Sequence, residues 1–253
     1  MADSASLSSL ASAVSHTTDA PRHTGIVRLT HWMTTLCFFA LLITGIEILI
    51  SHPRFYWGET GNVGMPSLFD IPIPASRGAV NTGYGYVLPD QNGWSRSLHF
   101  QAGWFAVLTG LLYGIHGLLT GHFRKNLLPA GSDLSWPVLS GEIANHLRFK
   151  RPNAAEARSY NVLQRLAYVM VIFVVFPLLV WTGLAMSPAF TSAFPFTVNV
   201  FGGQQSARTI HFFATLFLVL FLLVHIGMVI LAGFRSRMRA MITGRAEPLK
   251  EQL

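Results

Sequence analysis

The chain has 253 residues, of which 51% are apolar and only 11% are charged. Soluble domains carry about 25% charged residues, so this composition, with a mean hydropathy of +0.43, predicts a membrane protein. The single cysteine, Cys37, excludes iron–sulfur clusters, Cys-rich zinc sites and covalent attachment of a c-type haem. The net charge of +7 is compatible either with nucleic-acid binding or with basic cytoplasmic loops of a membrane protein.

Four apolar segments are long enough to cross a bilayer, which takes about 20 residues of helix. The preceding residues, 1–25, lack an apolar core and a basic start, so they predict a flexible tail and not a signal peptide. An all-α membrane domain, a bundle of four transmembrane helices, is expected over residues 26–245, followed by a C-terminal tail, 246–253. The predicted spans are residues 27–50, 98–120, 163–186 and 207–233.

The distribution of Lys and Arg predicts the orientation of the bundle. With the N-terminus inside, the inner segments hold 14 of these residues and the outer segments hold 4. Because cytoplasmic loops are enriched in Lys and Arg, both termini are predicted to be cytoplasmic, and nucleic-acid binding is no longer needed to explain the charge.

Two loops carry predictions of their own. The long outer loop, residues 51–97, is rich in Gly, Pro and aromatic residues; loops of this length are often functional. It predicts an ordered cap or a docking surface that includes Trp57, Glu59 and Asn62. The inner stretch 136–149 is weakly amphipathic, which predicts a helix along the inner membrane surface.

Five of the ten histidines lie in or at the ends of the spans, where ionisable groups are costly and usually functional. His211 and His225 are 14 residues apart, which places them within about 40° of one helix face and about 21 Å apart. His31 starts the first span at the depth of His225, and His99 starts the second span at the depth of His211. The sequence therefore predicts two facing pairs, His31 with His225 inside and His99 with His211 outside.

Two facing imidazoles in a helical bundle suit haem, which needs two axial nitrogens and an apolar slot. Zinc would take further carboxylate or thiolate ligands. His116 is rotated by about 100° from the face of His99, so it is not expected to be an axial ligand. Three glycines are expected to shape the slots: Gly45, Gly103 and Gly183. Three arginines stand three residues before a predicted ligand, where a haem propionate suits them: Arg28, Arg96 and Arg208.

A weak internal repeat relates the two halves of the chain. His31 followed by Thr44-Gly45 in the first half resembles Tyr168 followed by Thr182-Gly183 in the second. Spans 1–2 and spans 3–4 are therefore candidates for related halves in which the ligands are distributed differently.

The chain carries four motifs: Arg28-x-x-His31-Trp32 with Thr44-Gly45, Leu98-His99-x-x-x-Gly103, Thr182-Gly183-Leu184-x-Met186, and His211-x13-His225. Over residues 27–245 they resemble the bacterial cytochrome b561 and Ni-Fe hydrogenase-type cytochrome b family. The resemblance implies two b haems in the bacterial inner membrane, one held by each histidine pair. It also implies electron exchange between the quinone pool and a periplasmic oxidoreductase partner, and the outer loop resembles that of relatives with molybdopterin partners.

The resemblance places quinone beside the inner haem, where His116 is either a proton shuttle or a side chain reaching the interface. Two other functions stay open at this point. One is a stand-alone redox enzyme of the same fold that passes electrons from superoxide to quinone. The other is a histidine-dependent metal or proton transporter, which is expected to carry acidic residues, whereas the spans contain only Glu47.

Overall fold

A computed structural model describes residues 23–62, 64–72, 93–148 and 161–245. Within this part the chain is mostly helical, and four helices are long and apolar enough to cross a membrane. These are span 1, Gly25–Ser51; span 2, Trp94–Thr120; span 3, Val162–Ala185; and span 4, Gln204–Leu231. The predicted spans agree with these helices to within four residues at every end. The predicted tails lie largely outside the described residues, although span 1 already begins in the predicted N-terminal tail.

Polar residues at the helix starts explain where two of the spans begin. The Thr24 side chain accepts a hydrogen bond from the backbone N–H of Val27 at the start of span 1. The Asn161 side chain accepts from two backbone N–H groups at the start of span 3. Such capping satisfies donors that have no partner inside the helix.

Span 3 is irregular in its middle. It consists of Val162–Met170, a π-helical stretch Val171–Val175, and Phe176–Ala185. The second residue of the last segment is Pro177, which has no N–H to donate and whose ring clashes with the carbonyl four residues earlier. The wider π turn before it accommodates both effects within one continuous span.

The helices form two hairpins. Span 1 packs along span 2 over much of their length, and span 3 packs along span 4. Gly117 in span 2 allows the Phe123 ring to lie directly against the helix, because a Cβ at this position would overlap that ring. Phe123 belongs to a π-helical turn, Phe123–Leu127, that directly follows span 2.

The start of span 1 meets the end of the chain. After Gly233, whose φ of +96° ends span 4, a further helix runs over Phe234–Thr243. The Arg28 guanidinium donates to the Ile242 carbonyl at 2.7 Å, and the Trp32 indole donates to the Met241 carbonyl at 3.2 Å. Both ends of the described chain therefore lie at one end of the bundle, which we call the His31 end; the opposite end is the His99 end.

Short helices occupy the two remaining loops. At the His31 end, the predicted amphipathic stretch forms the helix Trp136–Leu147 after a 3-10 turn, Gly131–Leu134. The Asn161 amide donates to the Glu142 carboxylate at 2.6 Å, which ties this helix to the start of span 3. At the His99 end, spans 3 and 4 are joined through the helices Pro188–Ala193 and Phe196–Asn199.

The described part of the outer loop folds over the His99 end. We call residues 52–62 and 64–72 the cap. Two short strands, β1 (Arg54–Phe55) and β2 (Phe69–Asp70), pair antiparallel within it, a feature that the all-α prediction missed. The strand pairing stacks Phe55 on Phe69 with ring centres 4.6 Å apart. The described part of the loop is thus ordered, as the aromatic composition of the loop predicts.

Candidate functional site

Two histidine rings face each other between spans 1 and 4 at the His31 end. The ring centres of His31 and His225 lie 6.4 Å apart, with the planes at 47°. Aromatic rings enclose the pair: Trp32 meets His31 edge-on, and Tyr168 meets His225 edge-on at 6.2 Å. The position that the internal repeat compared with His31 is thus occupied by a tyrosine in contact with the paired histidine.

A second pair lies between spans 2 and 4 at the His99 end. The ring centres of His99 and His211 are 6.3 Å apart, with the planes at 59°. The hydroxyl oxygen of Thr44 is 2.9 Å from Nδ1 of His99, and the hydroxyl oxygen of Thr182 is 2.8 Å from Nδ1 of His211. Both threonines are completely buried.

The threonine hydroxyls determine which nitrogen of each ring carries a proton. Thr44 lies 2.7 Å from the Ala40 carbonyl, and Thr182 lies 2.7 Å from the Leu178 carbonyl. A carbonyl oxygen only accepts, so each hydroxyl donates there. Each threonine oxygen is then left to accept the hydrogen bond from the imidazole Nδ1–H, and the backbone of Leu41 or Leu179 offers a further acceptor beside it. The lone pair of each ring therefore lies on Nε2, the nitrogen left to bind a metal ion.

The donor set fits a metal held by two axial imidazoles. Two imidazoles that bind one ion from opposite sides, with metal–nitrogen bonds of about 2 Å, have ring centres about 6 Å apart. Both histidine pairs have ring centres at this separation. Among the described residues, no group of three or more His, Cys, Asp or Glu side chains is placed to hold a metal ion. The arrangement therefore fits haem, whose iron takes its other four ligands from the macrocycle, better than zinc.

The three predicted slot glycines lie in different surroundings. A Cβ at Gly45 would lie 3.5 Å from Cε1 of His99, and one at Gly183 would lie 3.8 Å from Cε1 of His211. At Gly103, a Cβ would meet no atom of the described residues within 4 Å. Gly45 and Gly183 thus flank the two rings at the His99 end, directly beside the threonines that hold them.

The three arginines predicted to bind propionates differ in their partners. Arg208 donates to the carbonyls of His52 and Arg54 and lies over the Phe55 ring, with Cζ 4.5 Å from the ring centre. Arg28 donates to the C-terminal helix, as described above, and Arg96 is exposed. Their propionate role stays a prediction, and Arg208 has a second role, fastening the cap, that sequence reasoning missed.

The cap is joined to the start of span 4 through its backbone. The Gly58 carbonyl accepts from the backbone N–H groups of Gln205 and Ser206, and the Ser206 hydroxyl accepts from Gly58 N–H at 2.7 Å. The Glu59 carboxylate accepts from Gln204 N–H at 3.1 Å. The cap thus supplies the acceptors that the first turn of a helix otherwise lacks. Gly203, with φ of +129°, permits this close approach of the two backbones.

The three cap residues singled out from the sequence divide between two roles. Glu59 holds span 4, and the Asn62 carbonyl accepts from the Tyr56 hydroxyl at 2.8 Å inside the cap. Trp57 remains 61% exposed. Glu59 and Asn62 are exposed as well, so a docking role of all three side chains stays a prediction.

His116 lies in a separate cluster at the His31 end. Its Nε2 is 3.4 Å from the Thr24 hydroxyl, and its ring centre is 6.3 Å from that of His122. The Asn126 amide lies 3.0 Å from Nδ1 of His122. Burial lowers the pKa of His122, and the nearby His116 lowers it further. His122 was not predicted as a site residue, although its spacing of six residues from His116 was a usable signal.

The family follows from comparison with known proteins. Residues 22–244 match the family model of the prokaryotic cytochrome b561, and the chain belongs to this family. Membership implies a b-type haem, for which the histidine pairs provide suitable axial ligands, and with the four apolar helices it makes the chain a multi-pass membrane protein.

One relative extends over most of the chain. It is named "Putative protein-methionine-sulfoxide reductase subunit YedZ1", from Azospira oryzae, and is 27% identical over 209 residues. The alignment covers 83% of this chain and 90% of the relative. No solved structure matches the chain.

Proposed function

We propose that this chain is a di-haem b-type cytochrome that passes electrons across the bacterial inner membrane between the quinone pool and a periplasmic oxidoreductase. The observation that carries this proposal is the presence of two imidazole pairs, with ring centres 6.4 and 6.3 Å apart, at opposite ends of one bundle. His211 and His225 separate the two sites by about 21 Å along span 4. Bound haem supplies one-electron chemistry at each end.

In this proposal the chain orients, buries and insulates its redox groups. His31 and His225 would hold the haem at the His31 end, and His99 and His211 would hold the haem at the His99 end. Apolar helices exclude water from both sites, and nearby protein groups adjust the reduction potentials. Oxidation of a quinol releases two electrons and two protons; bound haem would supply the one-electron acceptors, and the protons would return to water.

In this proposal each end of the helical bundle meets a different redox partner. The positive-inside distribution of Lys and Arg supports a cytoplasmic His31 end and a periplasmic cap. Quinone then reacts at the His31 end, where the imidazoles of His116 and His122 lie close together. A periplasmic oxidoreductase, of the molybdopterin type, docks on the cap, and the relative's name as a reductase subunit supports such a partner.

Haem content and ligand variants test this function. The purified protein is expected to contain two b haems per chain by pyridine haemochrome assay. His225→Ala is expected to lose the haem at the His31 end, and His99→Ala the haem at the opposite end. The matched control is His116→Ala, which changes a histidine outside both pairs and is expected to keep both haems.

Each alternative has a distinct result. A preparation with no haem absorbance would refute the cytochrome assignment and favour a metal or proton transporter. One haem per chain would refute the hypothesis of two haem sites. Loss of a haem in His116→Ala, with both haems kept in His99→Ala, would refute the ligand assignment. Rapid haem oxidation or reduction by superoxide without any partner protein would favour the stand-alone redox enzyme.

A further inference from the structure

The two histidine pairs differ in the hydrogen bonding of their rings. At the His99 end, Nδ1 of both rings lies within 2.9 Å of a buried threonine hydroxyl. At the His31 end, Nδ1 of His31 is buried and has no hydrogen-bond partner among the described residues. This difference arises from the two Thr-Gly motifs. Thr44 in span 1 bonds to His99 in span 2, and Thr182 in span 3 bonds to His211 in span 4.

We propose that Thr44 and Thr182 are positioning residues that hold His99 and His211 as Nδ1–H tautomers and lower the reduction potential of the haem at that end alone. This inference rests on the proposed function, since it concerns the haem that these two histidines are proposed to bind. The threonines do not touch the iron. They act through the imidazole rings.

The direction follows from the polarity of the hydrogen bond. Each hydroxyl already donates to a helix carbonyl, so its oxygen accepts from the imidazole. An acceptor on the outer N–H raises the basicity of the ligating nitrogen. A more basic ligand stabilises ferric iron more than ferrous iron, so the one-electron reduction becomes less favourable and the potential falls.

Burial strengthens this effect at the His99 end. Thr44 and Thr182 have no exposed surface, and hydrogen bonds are electrostatically stronger where water is excluded. Arginines lie at both ends of the bundle, Arg208 and Arg96 at one and Arg28 at the other, so a nearby positive charge is common to both sites. The threonine hydroxyls bond to the rings at the His99 end.

The structure offers matched threonines that bond only to the backbone. Thr215 in span 4 donates to the His211 carbonyl at 2.8 Å, and Thr35 in span 1 donates to the His31 carbonyl at 2.8 Å. Both stand one turn after a paired histidine, but among the described residues neither hydroxyl bonds to an imidazole nitrogen. Substituting Thr215 removes a hydroxyl of the same kind from the same helix without removing the Nδ1 hydrogen bond.

The experiment measures the midpoint potential of one haem at a time. In a His225→Ala background the protein keeps the haem at the His99 end, and its absorbance is followed during a redox titration. Thr44→Val and Thr182→Val remove the acceptor at nearly constant volume, while Thr44→Ser keeps it. Losing such a ligand partner changes metal affinities by about tenfold or more. If the loss falls on the ferric form, which the more basic ligand stabilises, each Val variant raises the potential by about 59 mV, the shift for a tenfold change in a one-electron couple.

The outcomes separate the inference from the proposed function. A raised potential in both Val variants, with Thr44→Ser and Thr215→Val like the parent, supports the inference. Loss of haem in the Val variants alone, with the Ser variant intact, also supports it, because the ring then needs the hydroxyl to stay in place. Unchanged potentials with haem retained, or an equal rise in Thr215→Val, overturn it. Absence of haem from the parent protein itself would instead refute the proposed function.

Discussion

Arg208 is expected to fasten the cap to the bundle, and its replacement by methionine tests this. The variant Arg208→Met removes the donors to the carbonyls of His52 and Arg54 and the cation above the Phe55 ring. Methionine retains most of the apolar side-chain stem, so loss of packing is kept small. The change therefore isolates the hydrogen bonds and the cation–π contact.

The size of the effect follows from these contacts. Hydrogen bonds to a charged group contribute about 1.5–3 kcal/mol each, and a partly buried cation–π contact adds about 1 kcal/mol. These contributions sum to about 4 kcal/mol or more, and because Arg208 is only half-buried we expect a smaller loss of about 3 kcal/mol in the free energy of cap opening. This loss corresponds to a more than 100-fold rise in the open population, since about 1.4 kcal/mol is tenfold. Opening of the cap exposes the backbone N–H groups of Gly58 and of the first turn of span 4, which are bonded across the contact in the closed form.

Hydrogen exchange measured by mass spectrometry reports this opening directly. The amides of Gly58 and of residues 204–206, which bond across the cap and span 4, are expected to exchange about 100-fold faster in Arg208→Met, while the core of span 4 stays protected. The matched control is Arg96→Met, which also stands three residues before a paired histidine but is exposed, so its cap is expected to exchange as in the parent. Equal exchange in parent and Arg208→Met, or equal acceleration in both variants, would refute the fastening role.

Three further predictions concern the cap and the packing of span 2. Burial and the charges of Arg208 and Arg96 lower the pKa of His52, so the opened cap binds the proton more tightly; cap stability should fall as the pH drops below about 6.5. Hydrogen exchange of the cap, corrected for intrinsic rates, should show this loss of stability at low pH, and His52→Phe should abolish the pH dependence. Trp57→Ala is expected to slow electron exchange with a periplasmic partner while both haem spectra stay unchanged; an unaffected exchange rate would remove Trp57 from the docking surface. Gly117→Ala is expected to lower the thermal stability, because overlap with the Phe123 ring costs about 1–3 kcal/mol, more than the roughly 0.5–1 kcal/mol that alanine adds to a helix; a thermal melt at or above that of the parent would contradict this.

The main features of the bundle were predictable from local properties. Each span agrees with its predicted range to within four residues, because length and hydropathy are properties of a single segment and the bilayer fixes what they require. The facing of His211 towards His99, and of His225 towards His31, was also predictable. Helical periodicity fixes the face and depth of a residue before any neighbour is known.

The hydrogen bonds of the histidine pairs could not be predicted from local sequence. The Thr44-Gly45 and Thr182-Gly183 repeat was visible in the sequence, but the hydrogen bonds of its threonines to His99 and His211 were not. Those bonds join residues 55 and 29 positions apart. They depend on the relative height of two helices, which neither helix sets alone.

The sequence by itself determined the membrane character, the four spans and the pairing of the histidines, since these follow from composition, segment length and helical periodicity. Only the tertiary structure decided what holds each ring and each loop. The folding of the outer loop onto the first turn of span 4 illustrates this: Gly58 and Glu59 bond to backbone N–H groups that every helix start exposes. Any sequence can offer such groups, so the sequence contains no signal of which acceptor reaches them, and chain packing alone selects it.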